Sequence, residues 1–238
     1  RLNGWELKPF SILHSSFCEV LFMDADCIPA RNPEFIFENS KYRETGAIFW
    51  PDLPPSDRKE WLPEVVWTNC DMQYRDEPDF ETGQMLINKE KCWKPLNVTM
   101  WCNEHSDYFY KFVYGDKSTF HLAWRGCGFD YGLPKPCNWR TPAILQYGPD
   151  NQLLFMHCCR GKEMLASGQK MTKLPDYNLC IDAWNVLGTF WSGQIYDYLD
   201  QNTAEKRMAT SVAGVYFYRR EIDSGGRELH LLPGGAIG

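Results

Sequence analysis

Four short, unbroken apolar runs constrain the possible fold of this chain more than any other feature of its sequence. They lie at 20–23, 47–50, 85–87 and 153–156 in a chain of 238 residues. Runs of this length are typical of strands that are buried on both faces, as in a parallel sheet. Helical patterns accompany them at 6–15, 89–101, 104–113 and 116–124. Because strands alternate with helices, the sequence predicts an α/β layered domain.

The last fifth of the chain follows a different pattern. Residues 203–210 predict a short helix, and 212–219 and 228–232 predict a hairpin across the turn Asp223-Ser-Gly-Gly226. Proline and polar residues dominate 51–60 and 131–150, which we predict to be surface loops. We therefore predict an α/β domain over 1–183, followed over 184–238 by a C-terminal helix and antiparallel hairpin that begin a further region.

The charge and composition of the chain exclude several classes of function. Lys and Arg total 25 against 31 for Asp and Glu, so the net charge is −6 and a nucleic-acid partner is not expected. No apolar run approaches the ~20 residues of a membrane span. The chain begins at Arg1 without a signal-peptide pattern and ends in a glycine-rich stretch. We expect it to be a piece of a longer polypeptide, with any membrane segment outside it.

The ten cysteines indicate little about function by their spacing. They include no Cys-x-x-Cys pair, so a structural zinc site is not expected. Two alternatives stay open, namely buried thiols in a reducing compartment or one or two disulfides in a secretory lumen.

The strongest functional signal is the segment Val20-Leu-Phe-Met-Asp24-Ala-Asp26. Residues i and i+2 at a strand end project to the same side, so both carboxylates can face one ligand. In open α/β sheets the carboxyl end of a central strand is where ligands bind. Two carboxylates suit Mn²⁺ or Mg²⁺, which complete their shells with water and phosphate oxygens. We therefore predict a metal site at Asp24 and Asp26, suited to neutralising a diphosphate leaving group.

A second signal follows the apolar run at 153–156. The run ends in His157, and Lys162 comes five residues later. An imidazole can be the third protein ligand of a Mn²⁺-like ion, and the lysine can then meet a diphosphate as a point charge. A histidine after an apolar run is often an ordinary core residue, but the carboxylate pair upstream favours the metal role.

A third cluster leads into the run at 85–87. Because Gly83 has no side chain, a ligand can approach the main chain closely there, and Glu81 and Gln84 can hydrogen-bond sugar hydroxyls. An ordinary turn into a strand is the alternative interpretation.

A fourth cluster contains His105 and Asp107, followed by Gly115-Asp116-Lys117. Solvated side chains on a helix surface are the alternative for His105 and Asp107. Asp116 precedes a predicted helix, so the alternative to a catalytic role is a simple N-cap.

Six segments together resemble the mannosyltransferase family typified by fungal Golgi α-mannosyltransferases. They are Leu7-Lys-Pro-Phe-Ser-Ile-Leu-His-Ser-Ser16, Glu19-Val-Leu-Phe-Met-Asp-Ala-Asp26, Thr45-Gly-Ala-Ile-Phe-Trp-Pro-Asp52, Glu81-Thr-Gly-Gln84, Asn103-Glu-His-Ser-Asp107 and Gly115-Asp-Lys-Ser-Thr-Phe120. The resemblance covers about 5–165, and the chain is more distantly similar to glycogenin-like retaining transferases. It implies a GT-A type (Rossmann-like) fold, a nucleotide-sugar donor, Mn²⁺ dependence and retention of anomeric configuration. A GT-A domain normally opens with a strand–helix–strand unit for which this chain lacks room, so we expect an N-terminally truncated version.

The resemblance also implies roles for individual residues. Asp24, Asp26 and His157 match the metal ligands of the family. Asp116 corresponds to an aspartate beside the donor sugar, and it is our choice of catalytic carboxylate, with Glu81 as the alternative. The expected donor-binding residues are Lys8, Asp24, Ala25, Gly83, Gln84 and Lys162, and the expected acceptor-binding residues are His105 and Asp107.

These observations predict a retaining glycosyltransferase that uses Mn²⁺ or Mg²⁺ to move mannose from GDP-mannose onto a glycan or glycoprotein. The Golgi lumen is the expected location if the protein is a eukaryotic member of the secretory pathway. A non-catalytic glycan-binding fragment is one alternative, favoured by the ten tryptophans. A haloacid-dehalogenase-type phosphatase is another, disfavoured because Cys27-Ile-Pro29 follows the Asp-x-Asp segment where small residues are wanted.

Overall fold

The computed structural model describes residues 4–53, 62–140 and 143–159, together with the pairs 218–219 and 230–231. Within them the chain is a mixed α/β structure. The helices there are α1 (Leu7–His14), α2 (Ser40–Thr45), α3 (Glu64–Asn69), α4 (Trp93–Glu104), α5 (Ser106–Phe109) and α6 (Lys117–Gly126), with 3₁₀ turns at Gly4–Glu6 and Glu34–Glu38. The strands are β1 (Glu19–Met23), β2 (Cys27–Pro29), β3 (Ala47–Pro51), β4 (Phe80–Asn88), β5 (Asn138–Arg140), β6 (Ala143–Tyr147), β7 (Leu153–His157), β8 (Tyr218–Arg219) and β9 (His230–Leu231).

The strands form two main sheets and one short pair. The first sheet has the order β1-β4-β3, the second has the order β2-β7-β6-β5, and β8 pairs with β9. Each of these strand pairs is antiparallel. A single parallel bridge joins Ile48 to Gly132. The four apolar runs therefore pair antiparallel, and not in the parallel manner that their composition suggested.

Both faces of the first sheet are covered, which explains why its strands are apolar throughout. On one face Val20 and Phe22 of β1 pack with side chains of α1, α4 and α6. On the other face Leu21 and Met23 pack against the second sheet, where Phe155 of β7 lies. Successive side chains of a strand point to opposite faces, so each position of β1 enters one of two cores. Burial on both faces, rather than strand direction, determines the pattern.

The predicted elements agree with the structure to different degrees. The apolar runs are strands β1, β3, β4 and β7, and the predicted helices coincide with α1, α4, α5 and α6. The predicted surface loop at 131–150 is wrong, because β5 and β6 lie within it and pair with each other and with β7. The short pair β8–β9 is antiparallel, as the predicted hairpin requires. The predicted helix at 203–210 and the domain boundary at 183 lie outside the described residues.

Two further features of the described residues concern their cysteines and the length of their helices. None of the nine cysteines in the described residues forms a disulfide. Among these residues, no helix combines the length and the apolar composition that crossing a bilayer requires.

Candidate active site

The two aspartates of the Asp-x-Asp segment lie in the tight turn between β1 and β2. The Asp24 amide donates to the Gly83 carbonyl at 2.8 Å, and the Cys27 amide donates to the Asp24 carbonyl at 2.9 Å. The Cys158 amide donates to the Asp26 carbonyl at 2.8 Å. Main-chain hydrogen bonds therefore hold the turn between the end of β7 and the middle of β4.

His157 joins this turn because β7 pairs with β2, with Cys27 opposite His157. Its Nε2 lies 3.3 Å from Asp26 Oδ1 and 3.9 Å from Asp24 Oδ2. One ligand atom from each of the three residues lies within 4.8 Å of the other two. The structure thus brings together residues that are more than 130 positions apart in the chain.

One buried atom of this cluster has no partner among the described residues. Asp24 Oδ1 is excluded from solvent and accepts no hydrogen bond there. Burying a carboxylate oxygen without a donor is costly, so such an atom is commonly explained by an ion or water. Two carboxylates and an imidazole also form a donor set that hard divalent cations accept. The residues present therefore fit a bound Mn²⁺ or Mg²⁺.

Glu81 of β4 lies behind His157, on the side away from the aspartates. His157 Nδ1 lies 2.8 Å from Glu81 Oε1, which also accepts from the Gly83 amide at 3.0 Å. Gln84 Nε2 donates to the other carboxylate oxygen at 2.9 Å. A carboxylate bonded to the outer nitrogen of a histidine fixes its tautomer and directs the inner nitrogen to a metal. In the structure Glu81 therefore positions His157.

The glycine of this cluster is required by close packing. A Cβ atom built on Gly83 would lie 2.4 Å from His157 Nδ1 and 2.9 Å from Glu81 Oε2. No side chain fits at that position, so the imidazole lies directly against the bare backbone of β4.

The electrostatics of the cluster are strongly anionic. Burial acts to lower the pKa of His157, yet Glu81 and Asp26 raise it to about 11. Burial likewise acts to raise the pKa of Glu81, yet His157 and Lys8 lower it to about 2. The carboxylates therefore hold a proton on His157 when no other cation is present. A divalent cation bound there would take the place of this proton.

Lys8 of α1 is the cation that links the two halves of the site. Its Nζ donates to Asp24 Oδ2 at 2.8 Å and to the Thr82 carbonyl at 3.2 Å. The same atom lies 3.8 Å from Asp116 Oδ2. Burial acts to lower the pKa of Lys8, but Asp116 and Asp24 raise it above its usual value. Lys8 is therefore charged and held between the buried carboxylate of Asp116 and the partly buried carboxylate of Asp24.

Asp116 precedes α6, as predicted, but its side chain makes no capping hydrogen bond. Its Oδ2 accepts from the Thr82 hydroxyl at 2.9 Å. Burial raises the pKa of Asp116, and Lys8 and Thr82 oppose that effect. The capping alternative does not explain this side chain, because the carboxylate turns toward β4 and α1.

A partly buried ionic network ties α6 to the segment that leads into β4. Arg125 donates through two nitrogens to both Glu77 oxygens at 2.7 Å, and His121 Nε2 lies 2.8 Å from Glu77 Oε1. His121 Nδ1 and the Ser118 hydroxyl contact Asp79 at 3.2 and 2.6 Å. This network fixes the helix that follows Asp116 relative to the strand that carries Glu81.

The remaining predicted site residues lie in different places, and only some of them adjoin the aspartate cluster. Gln84 is fully buried, and its Oε1 accepts from the Cys27 thiol at 3.2 Å, so it belongs to the floor of the site. Ala25 is exposed at the tip of the turn. His105 and Asp107 are exposed, and His105 Nδ1 contacts the Trp101 carbonyl rather than the aspartate cluster. Lys162 lies outside the described residues.

Sequence reasoning missed Thr82. It is buried between Lys8 and Asp116, with its hydroxyl 3.4 Å from Lys8 Nζ. Its place between Glu81 and Gly83 was a usable signal. Successive residues of a strand face opposite sides, so Thr82 faces the side of β4 opposite to Glu81.

Three fungal proteins that are similar to this chain are described as alpha-1,2-mannosyltransferases. Alpha-1,2-mannosyltransferase MNN24 of Candida albicans is 28% identical over 52% of this chain, and the match is 22% of that protein. Alpha-1,2-mannosyltransferase MNN2 of the same organism is 26% identical over 66% of this chain and 37% of that protein. Alpha-1,2-mannosyltransferase MNN5 of Saccharomyces cerevisiae is 36% identical over 55% of this chain and 31% of that protein.

The matched region is thus between 22 and 37% of the length of these relatives. The sequence profile of the family described as "Mannosyltransferase putative" matches residues 1–78 and 63–136, which together are more than half of the chain. The matched part contains Asp24, Asp26, Glu81 and Asp116, and His157 follows it. The chain therefore belongs to this mannosyltransferase family.

Proposed function

We propose that this chain forms the catalytic centre of a metal-dependent, retaining mannosyltransferase that uses GDP-mannose and a glycan acceptor. The observation that carries the proposal is the convergence of Asp24, Asp26 and His157 beside Asp116 and Lys8. Family membership and relatives named alpha-1,2-mannosyltransferases support the sugar that is transferred. A GT-A type fold is part of the proposal, and the Asp-x-Asp turn after buried strand β1 supports it.

The three converging residues would hold a Mn²⁺ or Mg²⁺ ion. That ion would neutralise the diphosphate from which the mannosyl group departs. Asp24 and Asp26 supply oxygen ligands, and His157 supplies Nε2, directed by the Glu81 hydrogen bond on Nδ1. Ala25, Gly83, Gln84 and Lys162 are the further proposed donor contacts.

Asp116 is the proposed catalytic carboxylate. During transfer the bond from the anomeric carbon to the diphosphate breaks with its electron pair on the diphosphate, and the acceptor hydroxyl oxygen forms the new bond on the same face while its proton passes to the departing diphosphate. A carboxylate beside the anomeric carbon can stabilise the positive charge of that transition state or form a covalent intermediate. Lys8 and Thr82 favour the charged form of Asp116 and hold it in place.

The test compares wild-type protein with Asp24→Asn in GDP-mannose hydrolysis and transfer with and without added Mn²⁺. We expect wild-type activity to require the metal and the variant to lose at least about a hundredfold, since a charged carboxylate ligand is replaced by a neutral amide. Asp130→Asn is the matched control, because Asp130 is exposed and forms an ion pair with the surface residue Lys41. Equal Mn²⁺-dependent activity in Asp24→Asn would contradict the proposal, provided that both variants keep the wild-type circular dichroism spectrum.

A glycan-binding role without catalysis is the second candidate. It is favoured by exposed aromatic side chains, which include Trp101 of α4 and Tyr108 of α5 with 53 and 49% of their surface accessible. The same assay separates the two candidates, because a binding module would retain glycan affinity and hydrolyse no GDP-mannose.

A further inference from the structure

Two exposed aromatic rings, Trp5 and Tyr114, lie side by side at the rim of the candidate active site. Half of the Trp5 surface and 72% of the Tyr114 surface are accessible to solvent. The ring centroids are 5.7 Å apart and the ring planes are inclined by 42°. Large exposed apolar side chains that cluster on a soluble domain commonly mark a binding site.

The chain connects each ring directly to a charged residue of the site. Trp5 precedes Lys8 by three residues, and Tyr114 precedes Asp116 by two. The charged groups meet at 3.8 Å, between Lys8 Nζ and Asp116 Oδ2. Two separate segments thus each supply one buried charge and one exposed ring, so the ring pair is held next to the proposed catalytic carboxylate.

Gly115 keeps the Trp5 ring in this position. It has φ of +69°, and a Cβ atom there would lie 2.8 to 3.2 Å from three carbons of the indole. Because several ring atoms are nearly equidistant from that point, the face of the indole lies against bare backbone. Tyr110 contacts the same indole, with ring centroids 6.3 Å apart. The platform is therefore preorganised, which reduces the entropic cost of binding.

Paired charges adjoin the exposed tyrosine. Lys117 Nζ lies 5.6 Å from the centroid of the Tyr114 ring and forms an ion pair with Asp52. A small cavity next to them is lined by Tyr114, Lys117, Asp52, Asp79 and Ser118 and otherwise by apolar side chains. This lining offers hydrogen-bond donors and acceptors together, which suits hydroxyl groups. It has no surplus positive charge, so it is unsuited to a nucleotide phosphate.

We infer that Trp5 and Tyr114 form the subsite that binds a pyranose ring of the glycan acceptor. An aromatic face packs against the C–H face of a sugar, and the paired polar groups beside it can bond the hydroxyls at the sugar edge. The inference rests on the proposed function, and it places acceptor recognition at this rim rather than at His105 and Asp107.

The test uses Tyr114→Ala, because the high exposure of this side chain makes loss of folding a small concern. Tyr114→Phe retains the ring, and Trp93→Ala removes another exposed aromatic residue, 57% accessible, from the start of α4. Steady-state kinetics with Mn²⁺ give KM for α-mannotriose and for GDP-mannose separately, along with GDP-mannose hydrolysis in the absence of acceptor.

We expect Tyr114→Ala to raise KM for α-mannotriose about tenfold, the size of one lost ring contact. KM for GDP-mannose and acceptor-free hydrolysis stay at wild-type values, as do all three quantities in Tyr114→Phe and Trp93→Ala. A raised KM for GDP-mannose alone would assign the rings to the nucleobase and overturn the inference. Unchanged kinetics in Tyr114→Ala would overturn it too.

Calorimetric titration of α-mannotriose without donor separates this inference from the proposed function. Should the wild-type protein neither hydrolyse nor transfer from GDP-mannose, the proposed function fails while the titration still tests the subsite. Weaker binding by Tyr114→Ala than by wild type and Trp93→Ala would then support the subsite. Equal binding, or none by any of the three proteins, would overturn it.

Discussion

Replacing Gly83 by alanine should disable the candidate metal site by a purely steric effect. The added Cβ would lie 2.4 Å from Nδ1 and 2.7 Å from Cε1 of His157, and 2.9 Å from Glu81 Oε2. Carbon atoms in ordinary contact are ~3.5 Å or more apart, so the imidazole must move by about 1 Å. Neither neighbour yields easily, because both are buried and hydrogen-bonded to each other at 2.8 Å.

The size of the effect follows from that displacement. Metal–ligand distances tolerate only ~0.2 Å of variation, so a shift of about 1 Å removes His157 as a ligand. Disturbing the groups behind a metal ligand typically costs 10- to 100-fold in metal affinity, and we expect the upper end, about 100-fold, for Mn²⁺. Overpacking should also lower the free energy of unfolding by about 1–3 kcal/mol.

Isothermal titration with Mn²⁺ and thermal unfolding without metal measure the two effects separately. Gly126→Ala is the matched control, because its Cβ would meet only the flexible Met72 sulfur, at 3.2 Å. Alanine at this last residue of α6 should change the free energy of unfolding by less than about 1 kcal/mol. Mn²⁺ affinity within twofold of wild type in a folded Gly83→Ala protein would refute the assignment of His157 as a ligand held against bare backbone.

Three further changes test other parts of the site. Asp116→Asn should lower transfer by at least a thousandfold and leave Mn²⁺ affinity nearly unchanged, since Asp116 is not among the three proposed ligands; near-normal transfer would contradict its catalytic role. Lys8→Met should lower the free energy of unfolding in urea, without metal, by about 3–5 kcal/mol, because it leaves the buried Asp116 carboxylate without its cation and removes the ion pair with Asp24; unchanged stability would contradict that pairing. Burial acts to raise the pKa of Glu77, yet hydrogen bonds from His121 and Arg125 lower it from 4.5 to about 2. The contribution of Glu77 to the free energy of unfolding is therefore present above pH 4.5 and is lost as the pH falls toward 2. Because Glu77 is partly exposed, that contribution is about 1–2 kcal/mol. Between pH 4.5 and 2, the free energy of unfolding should therefore fall by about 1–2 kcal/mol less in Glu77→Gln than in wild type. Equal falls in the two proteins would contradict the assignment.

The local parts of the site could be predicted from the sequence. The apolar run that ends at Met23 indicated a buried strand, and Asp24 and Asp26 follow it in the structure as a turn. The run before His157 likewise forms β7. Asp116 precedes a helix, as its position indicated. These features depend on residues that are close in the chain, because local patterns of polarity indicate which residues are buried and where a turn forms.

Other features depended on contacts between distant segments. The direction of strand pairing could not be inferred from composition, since any strand covered on both faces needs the same apolar residues. Glu81 has the same chemistry as Asp116 in the sequence, but the structure places it behind His157, 76 residues away, as a positioning group. The pairing of Trp5 with Tyr114 likewise required α1 and α6 to converge on β4. The sequence by itself thus indicated candidate residues at the ends of buried strands, and the tertiary structure decided which of them meet, because a role depends on neighbours that only packing brings into contact.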